Sequence, residues 1–290
     1  MSVHDLNRGG DDIRQLKRLL GLELTPNQRF LVESELRRLT GKAVETVSPA
    51  QILDFYCSDP SKWAVLHNLK LSDGTGLQRI DHLVISRYFD VVLLNSSCFY
   101  HDLKISVDGE YKLFDGRDYQ PIGSLHRKCQ QQLDLLVEVF NEDVLAPSRI
   151  GVPLRPKLYA VILVSPSRNV MRPPGSVLDT RHVMAANRFV HKLLRHQLRS
   201  GSGVLRLARL ARYCSRATLE RIAGELAALH QSACIDFAAE IGLDRGVCRQ
   251  ATGEPAPGPQ DNHPGRDAAD HRAPLTPDPH PAPESVGGAG

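Results

Sequence analysis

Residues 79–99 read RIDHLVISRYFDVVLLNSSCF, two short apolar runs joined by a tight connection. Ile80–Ser86 and Phe89–Leu94 are dense in Ile, Val, Leu and Phe, which suit a pleated, half-buried surface. With only Arg87-Tyr88 between them, they predict neighbouring antiparallel strands. Such a pair brings Asp81, at the start of one strand, close to Asn95-Ser96-Ser97 at the end of the other. An acid there, joined by Glu45 ahead of a short helix, could hold Mg²⁺, which takes oxygen ligands and keeps waters for substrate phosphates. An Asp at a strand start serves equally well as a structural hydrogen-bonding residue. The residues alone leave both readings open.

Outward from this segment the apolar period changes. Trp63–Leu71 (WAVLHNLKL) predicts a further strand, and Ser72–Gly76 a turn. Leu103–Val107 and Tyr111–Phe114 flank Asp108-Gly109, a two-residue hairpin signal. Lys157–Ser165 (KLYAVILVS) predicts a fully buried strand. Upstream, Asp11–Leu20 has helical spacing. Thr25, Pro26 and Gln28 form a capping signal for a helix that Gly41 is placed to stop. Ser48-Pro49-Ala50-Gln51 repeats that signal for a short helix through Ile52, Leu53 and Phe55. Further helices are predicted over Ser124–Phe140, Asp179–Leu198, Val204–Tyr213 and Thr218–His230.

The chain divides on this reading into a helical segment (1–40), an α/β domain (41–166), a basic helical extension (167–248) and a tail (249–290). The tail holds nine of the 19 prolines and no hydrophobic period, so disorder is expected there. In the 290-residue chain a 41% hydrophobic and 24% charged composition fits a globular protein. No run approaches the length of a membrane span, and the polar N-terminus lacks the features of a targeting segment. A cytoplasmic protein with no membrane role is expected. The six cysteines form no CxxC pair, which predicts scattered buried thiols.

The stretch WAVLHNLKL…RIDHLVISRYFDVVLLNSSCF resembles the NERD (nuclease-related) family. The resemblance continues through the hairpin DLKISVDGEYKLFDG into the helix after Ile122-Gly123-Ser124. It reaches back to Gly41–Glu45 (GKAVE), similar to the family's "GikGE". It implies an α/β fold with a restriction-endonuclease-like mixed sheet flanked by helices, here with helical extensions at both ends. It also implies the chemistry of the PD-(D/E)xK nucleases. There an Asp and a Glu hold a divalent ion, usually Mg²⁺, that activates water, and a Lys two residues after the Glu stabilises developing charge.

Carried over by position, Glu45 matches the early acid and Asp81 the Asp of the family's Gln-Ile-Asp-His, so these two are the expected metal ligands. The Glu and Lys positions fall on Asn95 and Ser97, and the helix glutamine on Lys128. Replacing Glu by Asn removes a charge from a hard-cation site. Replacing Lys by Ser removes the cation. Loss of one charge-stabilising group commonly lowers a rate by about 10²–10³. The expectation is a catalytically degenerate nuclease fold with Mg²⁺ weakly held or lost. An active enzyme with relocated groups, drawn from Arg79, His101, Lys104 or Lys128, is the alternative.

Between Arg181 and Arg221 ten Arg and Lys accompany one acid, Glu220. That excess reads either as a solvated helix face or as a surface for DNA or RNA phosphates. The candidate contacts are Arg188, Lys192, Arg195, Arg206, Arg209 and Arg212. A protein-interaction module is the third reading. Some longer family members carry a zinc ribbon, but Cys248 stands alone where it would begin, so no zinc is expected.

Overall fold

The computed structural model describes residues 3–5, 10–40, 47–74, 76–141, 148–149, 152–198 and 212–243. Six strands form the central sheet, in the order β1 (Val3–Asp5), β2 (Trp63–Ser72), β3 (Leu77–Ser86), β4 (Asp90–Asn95), β10 (Lys157–Val164) and β12 (Val183–Ala185). The β2–β3 and β3–β4 pairs are antiparallel, whereas β1–β2, β4–β10 and β10–β12 are parallel. A second mixed sheet runs β11 (Val170–Met171), β5 (Leu103–Ile105), β6 (Tyr111–Phe114), β7 (Tyr119–Pro121). A small pair joins β8 (Ser148–Arg149) to β9 (Val152–Pro153). The architecture is α/β with two mixed sheets, consistent with the restriction-endonuclease-like fold.

Helices cover both faces of the central sheet. On one side α4 (Leu125–Asn141) and α6 (Arg216–Ala228) pack Leu136, Leu219 and Ile222 against Leu66, Leu83 and Leu93. On the other, α3 (Pro49–Tyr56) and α5 (Ala186–Leu198) pack Leu53, Phe189 and Val190 against Val65, Val84, Leu94 and Leu163. The predicted Ser48 capping box on α3 is present. The same device starts α2 (Pro26–Thr40): Gln28 Oε1 accepts from the Thr25 N–H at 3.0 Å. A third cluster joins Leu16 and Leu19 of α1 (Gly10–Leu19), Val32 of α2, and Ile235 and Phe237 near the other end of the described chain.

Four local expectations are corrected. Residues 179–185 are not helical. Val183–Ala185 pair with β10 as an edge strand, and the helix starts at Ala186. Only the second half of β10 is buried, because its first four residues lie towards the sheet margin. Asp108-Gly109 sits in a longer loop, closed by the Ser106 N–H donating to Glu110 O at 3.0 Å, and Gly109 takes φ +80° within it. Cys234 is exposed, unlike buried Cys57, Cys98, Cys129 and Cys214. Residues 249–290 and Cys248 lie outside the described residues, as do 204–211 of the predicted Val204–Tyr213 helix. No described helix is long and apolar enough to cross a membrane.

Lys70 of β2 is 1% exposed, and its ammonium pairs at 2.9 Å with Asp12 of α1, itself 1% exposed. The same nitrogen donates to Ala233 O at 2.9 Å, so one buried cation ties both ends of the described chain to the sheet. Removing one member of such a pair strands a charge in the interior. Asp12→Ala is expected to lower unfolding free energy by about 3–5 kcal/mol, with Lys70→Met added in the same chain recovering part of the loss. Denaturant midpoints check this, and an unchanged midpoint in Asp12→Ala refutes it.

Candidate active site

Asp81 and Asn95 face each other across β3 and β4, two strands whose register pairs His82 with Leu94. Both side chains are buried. Asp81 Oδ2 accepts the Ser96 backbone N–H at 2.8 Å and the Ser96 hydroxyl at 3.1 Å. Asp81 Oδ1 accepts from Arg38 Nη1 at 3.1 Å, and Arg79 Nε lies 3.5 Å from the same oxygen. Burial pushes the Asp81 carboxyl upward, but Arg38 and Arg79 outweigh it and bring it down to about 2.

The second acid of this cluster is one that sequence reasoning missed. Glu35 of α2 accepts from Arg38 Nη2 at 2.7 Å and Nε at 2.8 Å, and also from Arg79 Nη2. Burial opposes its ionisation, yet the two guanidinium groups hold its carboxyl well below the ordinary range. Arg38 and Glu35 share one side of α2 at i, i+3 spacing, which is the signal that could have marked them. Arg79 Nε and Nη1 find no hydrogen-bond partner among the described residues, so the approach of Nε to Asp81 is an ion pair without a hydrogen bond. The Arg79 guanidinium lies over the Phe237 ring at 5.2 Å, and the Gln132 amide donates to the Arg79 carbonyl at 2.6 Å.

The remaining expected positions are only partly gathered. Asn95 Oδ1 accepts from the Ser97 N–H at 3.0 Å, so its amide oxygen is engaged by a local turn. Ser97 and Lys128 line a cavity of about 220 Å³ together with Glu35, Phe237 and Glu240. The Lys128 ammonium is 3.0 Å from Glu240 Oε1. Glu45 lies outside the described residues. Of the possible replacements, His101 Nδ1 bonds to the Phe114 carbonyl, and exposed Lys104 sits 5.6 Å from the Tyr119 ring. Neither touches Asp81.

Residues 41–154 match the family model NERD, described as nuclease-related domain. Over these residues the chain is similar to a NERD domain. No curated protein and no solved structure among those compared matches it. Glu35, Arg38, Phe237 and Glu240, which contact Asp81, Arg79 or Lys128, all lie outside the matched segment. Among the described residues no group of three or more His, Cys, Asp or Glu gathers as a metal site. Mg²⁺ is bound through one or two carboxylates and keeps several waters, so a resident cation on the same oxygen opposes it. Both Asp81 oxygens already carry donors, one of them an arginine cation, so these residues do not fit a divalent ion.

Behind the NERD strands lies a second polar chain. His67 and His82 are cross-strand partners whose Nδ1 atoms approach to 2.7 Å, and His67 Nε2 is 3.0 Å from Asp54 Oδ1 of α3. With His67 donating to Asp54, its Nδ1 must accept from His82, leaving His82 Nε2 as a buried acceptor without a described partner. Burial, then the neighbouring His67, pulls His82 from 6.5 down to about 3. Its folded value lies below its unfolded value, so acid favours the unfolded chain through that window. Stability is expected to fall as pH drops from 6.5 towards 3, with the Asp81 and Glu35 carboxylates adding their loss below about 4. His82→Leu should flatten the melting-temperature profile between pH 6.5 and 4 and leave the steeper acid limb in place. An identical slope in the variant refutes this assignment.

Proposed function

We propose that this chain is a nuclease-related protein whose NERD domain no longer hydrolyses phosphodiesters and which binds nucleic acid through its basic extension. In this reading residues 41–166 form the nuclease-related domain, with 1–40 and 167–248 as extensions and 249–290 as a Pro-rich tail. The observation that carries the loss of catalysis is the state of Asp81. Its carboxylate is neutralised by Arg38 and hydrogen-bonded by Ser96, at the position where a PD-(D/E)xK enzyme would present it to a metal. Asn95 and Ser97 supply neither the second charge nor the cation, and Lys128 is paired with Glu240.

Nucleic-acid binding rests on α5. Arg188 and Lys192 are exposed one turn apart on a helix that carries no acid. Lys192 also borders a cleft of about 380 Å³ whose walls include Trp63, Val92 and Phe189 as well as Asp90 and Asp179, the latter paired with Arg181 at 2.7 Å. Phosphates approaching this face meet cations without competing carboxylates from the same helix. Arg212 contributes less, since it lies 3.6 Å from Asp90. The Arg195 side chain, Arg206 and Arg209 lie outside the described residues.

The purified full chain is expected to give no product from DNA or RNA with Mg²⁺ or Mn²⁺. It should bind at least one of them with an affinity that falls steeply with salt. Changing Arg188 and Lys192 together to Ala should reduce the slope of log affinity against log salt by about 1–2. Cleavage abolished by Asp81→Ala would sink the catalytic half of this reading. Failure to retard any nucleic acid at low salt would sink the binding half and favour a protein-interaction module.

A further inference from the structure

We infer that the Asp81 position has become an ion-pair lock, in which the guanidinium of Arg38 supplies the positive charge a divalent cation would bring and fastens α2 to the NERD sheet. Glu35, Arg38, Asp81 and Arg79 form a closed ring in which acids and cations alternate. Glu35 grips Arg38 through two nitrogens, Arg38 reaches Asp81, Arg79 approaches the same Asp81 oxygen, and Arg79 Nη2 returns to Glu35. All four side chains are largely buried, at 17%, 8%, 4% and 5% exposure in that order. The ring sums to zero charge and needs no ion to balance it.

The ring joins parts of the chain that the NERD segment alone would not hold together. Asp81 and Arg79 belong to β3, whereas Glu35 and Arg38 belong to α2. From the far end of the chain, Phe237 covers Arg79 and Glu240 pairs with Lys128. Both extensions therefore close on the place where a nuclease of this fold would open to substrate. This deepens the proposed loss of catalysis by assigning the retained Asp81 a different task. An acid kept for a metal sits in unfavourable surroundings until the ion arrives, and its removal relieves them. An acid kept for arginines leaves stranded cations when it is removed. The two cases differ in sign.

Thermal melts of the full chain in EDTA read that sign. Asp81→Asn and Arg38→Gln are each expected to lower the melting temperature by roughly 10 °C, and the double variant should lose no more than the worse single one. An unchanged or raised melting temperature in Asp81→Asn, or losses that add in full, overturns the lock. A second measurement does not depend on weakened variants. Mn²⁺ titrated into the wild-type chain and followed by its electron paramagnetic resonance signal should show no site that depends on Asp81. Mn²⁺ held by the wild type and released in Asp81→Asn overturns the proposal. Neither readout involves nucleic acid, so a failure of binding on α5 leaves the lock standing, and a failure of the lock leaves that surface untouched.

Discussion

A carboxylate taken out of water must be surrounded by cations or hydrogen-bond donors, and the arrangement around Asp81 follows from that demand. Desolvation of a lone charge of this kind is expensive enough that an unpartnered acid would give up its charge. Here two arginines and the Ser96 N–H and hydroxyl keep it ionised. Two arginines beside one acid would in turn leave a buried excess of positive charge. Glu35 removes that excess, and its place on α2, one turn before Arg38, lets a single helix deliver the balancing acid and one of the cations. The position of α2 is thus set by charge compensation as well as by Val32 in its apolar cluster.

The same balance explains why Asn95 is compatible with this interior while a Glu is not required. The ring of two acids and two arginines is already neutral, so a third carboxylate beside it would be buried without a counter-ion. Asn95 instead satisfies its amide oxygen locally through the Ser97 N–H. A Lys at 97 would face a cavity whose wall already holds Lys128 paired to Glu240. These departures from the nuclease pattern and the arginine contacts describe one electrostatic arrangement.

Much of the sheet was legible because its signals are local. Alternation and β-branched density give β2, β3 and β4, and turn chemistry at Ser72–Gly76 sets the register that places His67 beside His82. The three-residue β12 was read as helix because its strand character comes from lying beside β10, which nothing within Val183–Ala185 encodes. In the site, Asp81 and Asn95 could be brought together from the strand pattern alone. Their real partners could not, because Arg38 reaches Asp81 across 43 positions of sequence and Phe237 belongs to a distant segment. Lys70 with Asp12 is the same case: the two lie 58 positions apart, and only the fold brings them together and buries both.

An Asp retained at a motif position is therefore ambiguous in a way that its own sequence context cannot resolve. A metal site and an arginine lock demand the same residue, at the same strand end, in the same ionised form. What separates them is the partner, and here that partner is supplied by a helix outside the segment that defines the family. Phosphate binding escapes this ambiguity. It needs neither metal nor buried acid, only cations held in solvent, and α5 offers Arg188 and Lys192 with no acid on the same helix. On the proposed reading, hydrolysis at Asp81 and phosphate contacts on α5 depend on different residues, so losing the first leaves the second physically intact.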